Sequence, residues 1–175
     1  MNKLLVVRFV MCMFLSITVL QAEKNYLNID AKHFESIEQK NILIFTGDVK
    51  MTKNDDILLG QKLVINTQPS PEDPSKQIPK DYKATGDVSF VLYTVDSILK
   101  GKGDVVFYYP NEQKYIIIGN GFLEDTKEGK KINAEKIYID ELTGRTKIDG
   151  GKNKPIKFRL RLNDKKDNNA TKETK

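Results

Sequence analysis

The residue types that most often do chemistry are scarce in this chain. His33 is the only histidine and Cys12 the only cysteine among 175 residues. A nucleophilic site needs a base beside its nucleophile, and an ordinary zinc site needs several His or Cys ligands. His33 follows Lys32 on the predicted outward side of a strand, where a lone histidine is usually a surface residue. The sequence therefore predicts no catalytic residue, no metal site and no cofactor, and a protein that is not an enzyme.

The acidic and aromatic residues indicate no other reaction. Carboxylates fall mainly in predicted turns, as in Asp55-Asp56 and Glu72-Asp73, and would form a glycosidase pair only if they converged in a cleft. Three tyrosines flank a predicted turn without a basic cluster, namely Tyr108, Tyr109 and Tyr115. Nucleic-acid binding needs basic residues beside the stacking aromatic rings, so the lack of a basic cluster disfavours that function. A glycosidase stays an alternative that the positions of the carboxylates can decide.

The first 22 residues have the pattern of a secretion signal. A basic start precedes an apolar stretch over residues 10–20, and Gln21-Ala22 ends in a small residue suited to cleavage. The stretch is shorter than the roughly 20 residues that span a bilayer, which disfavours a retained anchor. We therefore expect cleavage near Ala22 and an extracytoplasmic location. Cleavage removes Cys12, so the mature fold must depend on an apolar core rather than on disulfides.

The rest of the chain divides into one domain and a tail. Residues 163–175 lack large apolar side chains and include four lysines, so we expect a disordered basic tail. Residues 23–162 are long enough to bury a core and are predicted to form a single domain. The formal charge of the whole chain is +5, which is a mild excess.

Apolar and polar residues alternate over much of residues 23–162. From Leu43 to Met51 the odd positions are apolar or glycine, and similar rows run over residues 88–92, 137–139 and 156–162. This period is typical of strands with one buried face, whereas no helical stripe exceeds two turns. The sequence therefore predicts an all-β domain. Its outward residues are predicted to include Asp48, Lys50, Asp87, Lys136 and Arg159.

A short phrase recurs along these strands. Thr46-Gly47-Asp48-Val49 is repeated as Thr85-Gly86-Asp87-Val88, with looser copies at 103–105 and 119–121. Glycine accepts backbone angles that other residues resist, and Asp or Asn bonds to nearby backbone. The recurrence of Gly-Asp and Gly-Asn pairs within successive strands indicates a β-structure built from one repeated unit.

A second phrase places a small residue three positions before an apolar one. It occurs at Ala31, Gly60 and Ala134, with a blurred copy at Gly101. Predicted turns at 53–56, 109–112, 126–129 and 142–144 separate the strands. The unequal intervals predict a meander of similar hairpins with one insertion rather than a strict solenoid.

The insertion is the proline-bearing segment from Gln68 to Asp81. It contains Pro69, Pro71, Pro74 and Pro79. Proline lacks the N–H donor that a strand ladder requires. We therefore expect a long excursion here and no strand.

The phrases, in this order, resemble the OstA-like family of periplasmic lipopolysaccharide-transport proteins. Residues 27–31 are similar to the family's opening strand, Phe45–Val49 to its most recognisable phrase, and Ile132–Ile137 to its repeated phrase. The similarity covers residues 27–162. It implies an open, twisted antiparallel β-jelly roll with an apolar interior and an unpaired strand edge at each end.

The resemblance also implies a function. Such a roll would bind lipopolysaccharide and conduct it from the inner to the outer membrane by sheltering its acyl chains. The alternating pattern, placed in that roll, gives the candidate lipid-binding residues: Leu27, Ile29, Leu43, Phe45, Val49, Met51, Leu63, Ile65, Val88, Phe90, Ile117, Leu123, Ile137 and Ile139.

The same resemblance implies partners at the strand edges. Residues 27–31 and 156–162 are expected to form the two edges, with Ile156, Phe158 and Leu160 as candidate contact residues. An edge strand can add to a neighbour by main-chain hydrogen bonds. The expected partners are a second copy, head to tail, and inner-membrane LptC-like and outer-membrane LptD-like proteins of the same fold.

Two other interpretations stay open at this point. One is an inner-membrane-anchored LptC-like component that retains its N-terminal helix. The other is a secreted carbohydrate-binding β-protein, which would need exposed aromatic platforms. Tryptophan is absent from the chain, and the predicted strands turn their aromatic residues inward, so the second interpretation is the weaker.

Overall fold

The computed structural model describes residues 26–94 and 96–162. They form one 10-stranded antiparallel sheet in which the long strands follow one another as a meander. The strands are β1 (Leu27–Asp30), β2 (His33–Ile37), β3 (Ile42–Lys53), β4 (Asp56–Pro69), β5 (Gln77–Tyr93), β6 (Ile98–Tyr109), β7 (Lys114–Asp125), β8 (Lys130–Asp140), β9 (Arg145–Asp149) and β10 (Lys157–Arg159). The predicted all-β class is confirmed, and each predicted turn falls between two strands.

Each long strand bends near its middle. The pairing between neighbouring strands shifts register at the same level of the sheet from β3 to β8. β1 and β2 pair with β3 on opposite sides of this level, and β9 and β10 divide β8 in the same way. The aligned shifts form a corner along which the sheet folds into two layers.

The two layers are defined by these half-strands. The first layer contains β2, residues 42–46, 62–69, 77–85, 105–109, 114–118 and 136–140, and β9. The second layer contains β1, residues 49–53, 56–60, 88–93, 98–103, 121–125 and 130–134, and β10. The result is an unclosed, twisted antiparallel roll, as predicted.

The repeated Gly-Asp phrase builds the corner. The φ angles are 84° and 47° in Gly47-Asp48, 83° and 47° in Gly86-Asp87, and 74° and 47° in Gly119-Asn120. Successive left-handed residues make a bulge that turns the strand, and Gly, Asp and Asn are the residues that tolerate this conformation. An ion pair of 2.6 Å from Lys32 holds Asp48 in place, and its hydrogen bond lowers the pKa of Asp48.

The second phrase supplies small residues to the neighbouring strands at the same corner. A Cβ on Gly60 would lie 3.4 Å from the carbonyl oxygen of Thr85, which is an ordinary contact, so space alone does not require glycine there. The equivalent residue in β6 is Gly103, where a Cβ would lie 2.5 Å from Cγ2 of Ile117. The predicted copy at Gly101 is therefore displaced by two residues, because Gly101 lies within the strand rather than at its bend.

Both layers contribute to a single apolar core. Its buried residues are Val49, Leu63, Ile65, Ala84, Val88, Phe90, Val106, Ile117, Leu123, Ile132 and Ile137. Burying each large aliphatic side chain stabilises a fold by about 1.5–3 kcal/mol. The residues predicted to face outward, from Asp48 to Arg159, are all exposed.

The prediction for the proline-bearing segment was wrong. β4 continues to Pro69 and pairs it with Gln77, and Thr67 pairs with Pro79, so only residues 70–76 lie outside the strands. β3 stops pairing at Asn66 and β6 does not reach past Tyr82. The two strands therefore extend beyond their neighbours as an arm, where proline leaves no neighbouring ladder incomplete on the free side.

The two ends of the sheet differ in detail from the prediction. β1 is an edge as expected, but β2 shares that end of the sheet. At the other end only Lys157–Arg159 is a strand, and β9 lies beside it along β8. The alternation over 156–162 had predicted a longer strand.

The predicted signal segment (1–22) and the predicted tail (163–175) lie outside the described residues, so the domain boundaries stay predictions. Within the described part of the chain, no helix is long and apolar enough to cross a membrane.

Candidate functional site

The fourteen predicted lipid-binding residues lie together in the interior. Those buried in the core are Val49, Leu63, Ile65, Val88, Phe90, Ile117, Leu123 and Ile137. Those packed against it and half-buried are Leu27, Ile29, Leu43, Phe45, Met51 and Ile139. Their shared interior position is established by these contacts, whereas their binding of lipid stays a prediction.

An apolar cavity of about 140 Å³ opens between the two layers. Its lining includes the last residue of β3, Lys53, the first residue of β4, Asp56, and Pro110 directly after β6. All three lie at the strand ends remote from the corner. The cavity is thus the mouth of the roll on its open side. From the predicted set it is lined by Leu27, Met51 and Phe90 only.

The remaining predicted residues are mostly too deep to line this mouth. Leu63, Ile117 and Ile137 have no exposed surface, because close packing fills the space near the corner. The lining residues that the sequence analysis missed are Ile57, Leu58, Tyr82, Ala84, Leu92, Val106, Tyr108 and Tyr115. The usable apolar space is therefore shifted from the centre of the core toward the open side.

A ladder of tyrosines forms one wall of the mouth. The ring centroids of Tyr82 and Tyr108 are 5.8 Å apart, and those of Tyr108 and Tyr115 are 4.4 Å apart. Burial raises the pKa of Tyr82 to about 12 and also raises the pKa of Tyr108 and Tyr115. The hydroxyls therefore stay protonated at neutral pH and can donate hydrogen bonds.

A sequence signal for this ladder existed. Tyr82 precedes Ala84 by two residues, Tyr108 follows Val106 by two, and Tyr115 precedes Ile117 by two. Each tyrosine therefore shares the inward face with a buried apolar residue. The rings nevertheless stack only because the register brings the three tyrosines side by side.

Phe90 forms part of the opposite wall. It is 5% exposed and pairs across the strands with Gly101. A Cβ on Gly101 would overlap the ring of Phe90, so the ring lies directly over this glycine. The missing side chain at Gly101 thus sets the position of an aromatic ring in the mouth.

The rim of the mouth is polar. Asp56 accepts a hydrogen bond of 2.8 Å from the backbone N–H of Tyr93, and Lys53 lies beside it in the lining. Glu141 lies outside the lining, and desolvation, followed by the nearby charge of Asp56, raises the pKa of its carboxyl group. An apolar mouth with polar groups at its rim suits an amphipathic ligand that has an apolar tail and a polar head.

An aromatic side chain also lies on the inward face at each end of the sheet. Phe34 of β2 contacts Phe45, with ring centroids 4.9 Å apart, yet Phe34 is 61% exposed. Phe158 of β10 pairs with the buried Ile132 and is 54% exposed. The flanking Ile156 and Leu160 are exposed too, but lie outside the strand. Both ends thus present an inward-facing apolar residue that nothing in the described chain covers.

Among the described residues, no group of three or more His, Cys, Asp and Glu side chains could hold a metal ion. His33 is exposed on the outward side of β2. The site therefore consists of an apolar mouth, its tyrosine wall and the two open sheet ends.

Comparisons with known proteins agree with this geometry. The family model described as LptA/(LptD N-terminal domain) LPS transport protein matches residues 28–145. A comparison with curated proteins gives no match. Matches to solved structures include LptH from Pseudomonas aeruginosa, described as the LptA homologous periplasmic component of the conserved lipopolysaccharide transport device. That structure has a TM-score of 0.66 and 14% identity over 79% of this chain and 96% of that chain, which shows a shared fold.

Proposed function

Since the chain belongs to the LptA/LptD N-terminal domain family of lipopolysaccharide transport proteins, we propose that it is an LptA-like bridge component that carries lipopolysaccharide across the periplasm. It is a carrier rather than an enzyme, as the sequence predicted. The observation that carries the proposal is the apolar mouth between the two layers, which is open on the side remote from the corner.

The mouth matches the physical problem of transport. Exposing an acyl chain to water costs about 0.8 kcal/mol of free energy for each CH₂ group. Leu58, Leu92 and Phe90 offer apolar surface to such chains, while the open side leaves room for the sugars outside. Because the core near Ile117 is closely packed, we place the acyl path along the mouth and not through the centre of the roll.

Photocrosslinking tests this placement. A photoreactive phenylalanine analogue at position 90 should capture lipopolysaccharide in cells. The matched control is position 107, because Phe107 lies in the first layer on the outward side, beneath the amino group of Lys83. Equal capture at both positions, or capture at position 107 alone, would overturn the proposed path.

We further propose head-to-tail association through the sheet ends. β1 and β2 form one end and β9 and β10 the other, and Phe34 and Phe158 extend the apolar interior to each end. Joining unlike ends produces open chains or joins different proteins of the same fold. LptC-like and LptD-like proteins, at the inner and outer membranes, are the proposed partners, with Ile156, Phe158 and Leu160 at the joint.

The joint is tested by light scattering after size-exclusion chromatography over a range of concentrations. Full-length protein should gain mass with concentration, and deletion of residues 156–175 should abolish the gain. A Phe158→Glu variant keeps the strand and should also lower association. Identical, concentration-independent masses for all three proteins would rule out the C-terminal edge.

A periplasmic location with cleavage near Ala22 belongs to the same proposal. The N-terminal sequence of the protein isolated from cells distinguishes cleavage from a retained LptC-like anchor. A start at Glu23 supports the bridge, whereas an intact Met1 or Asn2 supports the anchored form.

A further inference from the structure

The outward side of the second layer carries an apolar patch on the face opposite the lipid mouth. We define this outer patch by Ile57, Leu59, Val91, Tyr93 and Phe122. Ile57 pairs with Val91, and each lies two residues from Leu59 or Tyr93 on the same face. Leu59 is 43% and Tyr93 52% exposed. Large side chains at these positions are turned away from the core, so the core does not explain them.

Basic residues surround the outer patch. Two rows cross the sheet: Val91 pairs with Lys100, and Phe122 pairs with Lys102. The outward cations of this layer are Lys50, Lys100, Lys102, Lys131, Lys157 and Arg159, against the acids Asp30 and Glu124. At the corner, Asp87 and Asp104 lie near Lys102. Lys131 pairs with Glu124 at 2.9 Å. Among the described residues, Lys50, Lys100 and Lys102 form no ion pair.

The patch is also concave. A shallow depression of about 380 Å³ lies over it and is lined by the small residues Ser89 and Gly101. The rest of its lining consists of Ile57, Leu59, Phe90, Val91, Phe122, the two lysines of the rows and Glu124. Small side chains between larger ones leave space for apolar groups from outside. The depression therefore combines an apolar floor with a charged rim of Lys100, Lys102 and Glu124, of which Glu124 is already paired with Lys131.

The outward side of the first layer does not have this combination. It carries apolar residues too, including Phe107, but there Lys83 covers the Phe107 ring at 5.5 Å from its centroid. Acids lie among its cations, as at Glu35 and at Asp140, which pairs with Arg145. The excess of positive charge is thus greater on the second layer.

We propose that the outer patch docks the protein on its side against an anionic phospholipid bilayer. Lysine stems can lie along apolar surface while their ammonium groups reach the headgroup phosphates. Leu59, Tyr93 and Phe122 would enter the interfacial region, where aromatic side chains are favoured. A second copy is a poorer occupant, because two identical basic faces would repel each other.

The outer patch and the lipid mouth lie on opposite sides of the second layer, and Ile57 and Phe90 contribute to the lining of both. The variants that test the patch therefore change only residues outside the lining of the mouth, namely Leu59, Lys100, Lys102 and Phe122. Docking on a bilayer would keep a carrier close to the membrane where its cargo enters or leaves. Each lysine near an anionic surface contributes about fivefold to binding. Reversing two lysines should therefore weaken binding by about 25-fold or more, and raised salt should weaken it further because exposed charges are screened.

The test is flotation of the full chain with vesicles of phosphatidylglycerol and of phosphatidylcholine. We expect binding to phosphatidylglycerol that falls with salt and is lost in Lys100→Glu/Lys102→Glu. Leu59→Ser/Phe122→Ser should also weaken it. The matched control, Lys62→Glu/Lys136→Glu, makes the same charge change on the first layer, and both of its lysines are exposed. It should bind as the unmodified chain does. Equal loss in both charge-reversed variants, or no dependence on lipid charge, would overturn the proposal.

Residues 1–22 are apolar enough to contribute to vesicle binding, and every variant retains them. A second measurement therefore asks which face of the domain contacts the lipid. A photoreactive analogue at position 93 should crosslink to phosphatidylglycerol, whereas one at position 138 should not, because Tyr138 lies on the outward side of the first layer. Equal labelling at both positions would contradict docking through the outer patch. A concentration-dependent mass that Leu59→Ser/Phe122→Ser abolishes would instead assign the patch to a second copy.

Discussion

Replacing Gly101 by alanine should damage both the fold and the lipid mouth. A Cβ at this position would overlap the ring of Phe90, which is only 5% exposed and is enclosed by the core. The ring has to move toward the cavity of about 140 Å³, since the strands fix the backbone on the other side. Gly101→Ala should therefore narrow the space that we assign to acyl chains.

The magnitude follows from the packing. Adding a methyl group to a filled interior costs about 1–3 kcal/mol through displaced side chains. For a chain of this length that loss lowers the unfolding midpoint by about 2–4 °C for each kcal/mol. Phe90→Leu removes the ring edge that the methyl would overlap. The double variant Gly101→Ala/Phe90→Leu should therefore be less destabilised than the sum of the two single changes.

The assay is urea unfolding followed by circular dichroism, together with lipopolysaccharide co-purification. Gly60→Ala is the matched control, because Gly60 is also a buried strand glycine but its Cβ would make only an ordinary contact of 3.4 Å. If Gly101→Ala changes the free energy of unfolding by less than about 0.5 kcal/mol, the range of neutral surface substitutions, the argument from overlap with the Phe90 ring is refuted. Strict additivity of the two changes at this contacting pair would refute it as well.

Three further predictions concern the transport path, the corner and the pH dependence of stability. Phe90→Asp should abolish lipopolysaccharide co-purification, because a buried unpaired carboxylate is costly and repels apolar chains, while Lys50→Ala should not. A folded Phe90→Asp protein with unchanged lipid capture would contradict the proposed path. Gly86→Ala should lose about 1–3 kcal/mol in urea unfolding, since its φ is 83° and a Cβ would lie 2.7 Å from that of Gln61. The raised folded-state pKa of Glu141 favours folding below the ordinary value of 4.5, and this contribution is lost as pH rises through the folded value. Glu141→Gln should therefore raise the thermal midpoint at neutral pH more than at about pH 4, and an equal shift at both would contradict this.

Local chemistry was enough to predict much of the fold. Alternation from Leu43 to Met51 and in the later strands indicated which side chains face inward, because successive strand residues point to opposite faces. The Gly-Asp phrase marked points of unusual backbone, and these became the corner at Gly47-Asp48 and Gly86-Asp87. Composition alone left no second histidine or cysteine from which an ordinary zinc site could be built.

Features that depend on which strands become neighbours could not be deduced from the sequence. Pro69 and Pro79 lie in strands because the arm formed by β4 and β5 extends beyond the ends of β3 and β6. How far a strand extends beyond its neighbours depends on the pairing of the whole sheet and not on the local sequence. The tyrosine ladder needs the register of three strands to bring its rings together.

The alternation in the sequence by itself determined an all-β chain whose strands bury one apolar face. The resemblance of its phrases to the OstA-like family implied that these strands form an open roll with an apolar interior. The tertiary structure alone decided where that interior is filled and where it is open. Ile117 and Phe90 have the same alternating signature, yet the corner packs Ile117 completely while the open side leaves Phe90 at the mouth. The physical reason is that hydrophobicity selects the face of a strand, whereas the spacing between two folded layers sets the space between them.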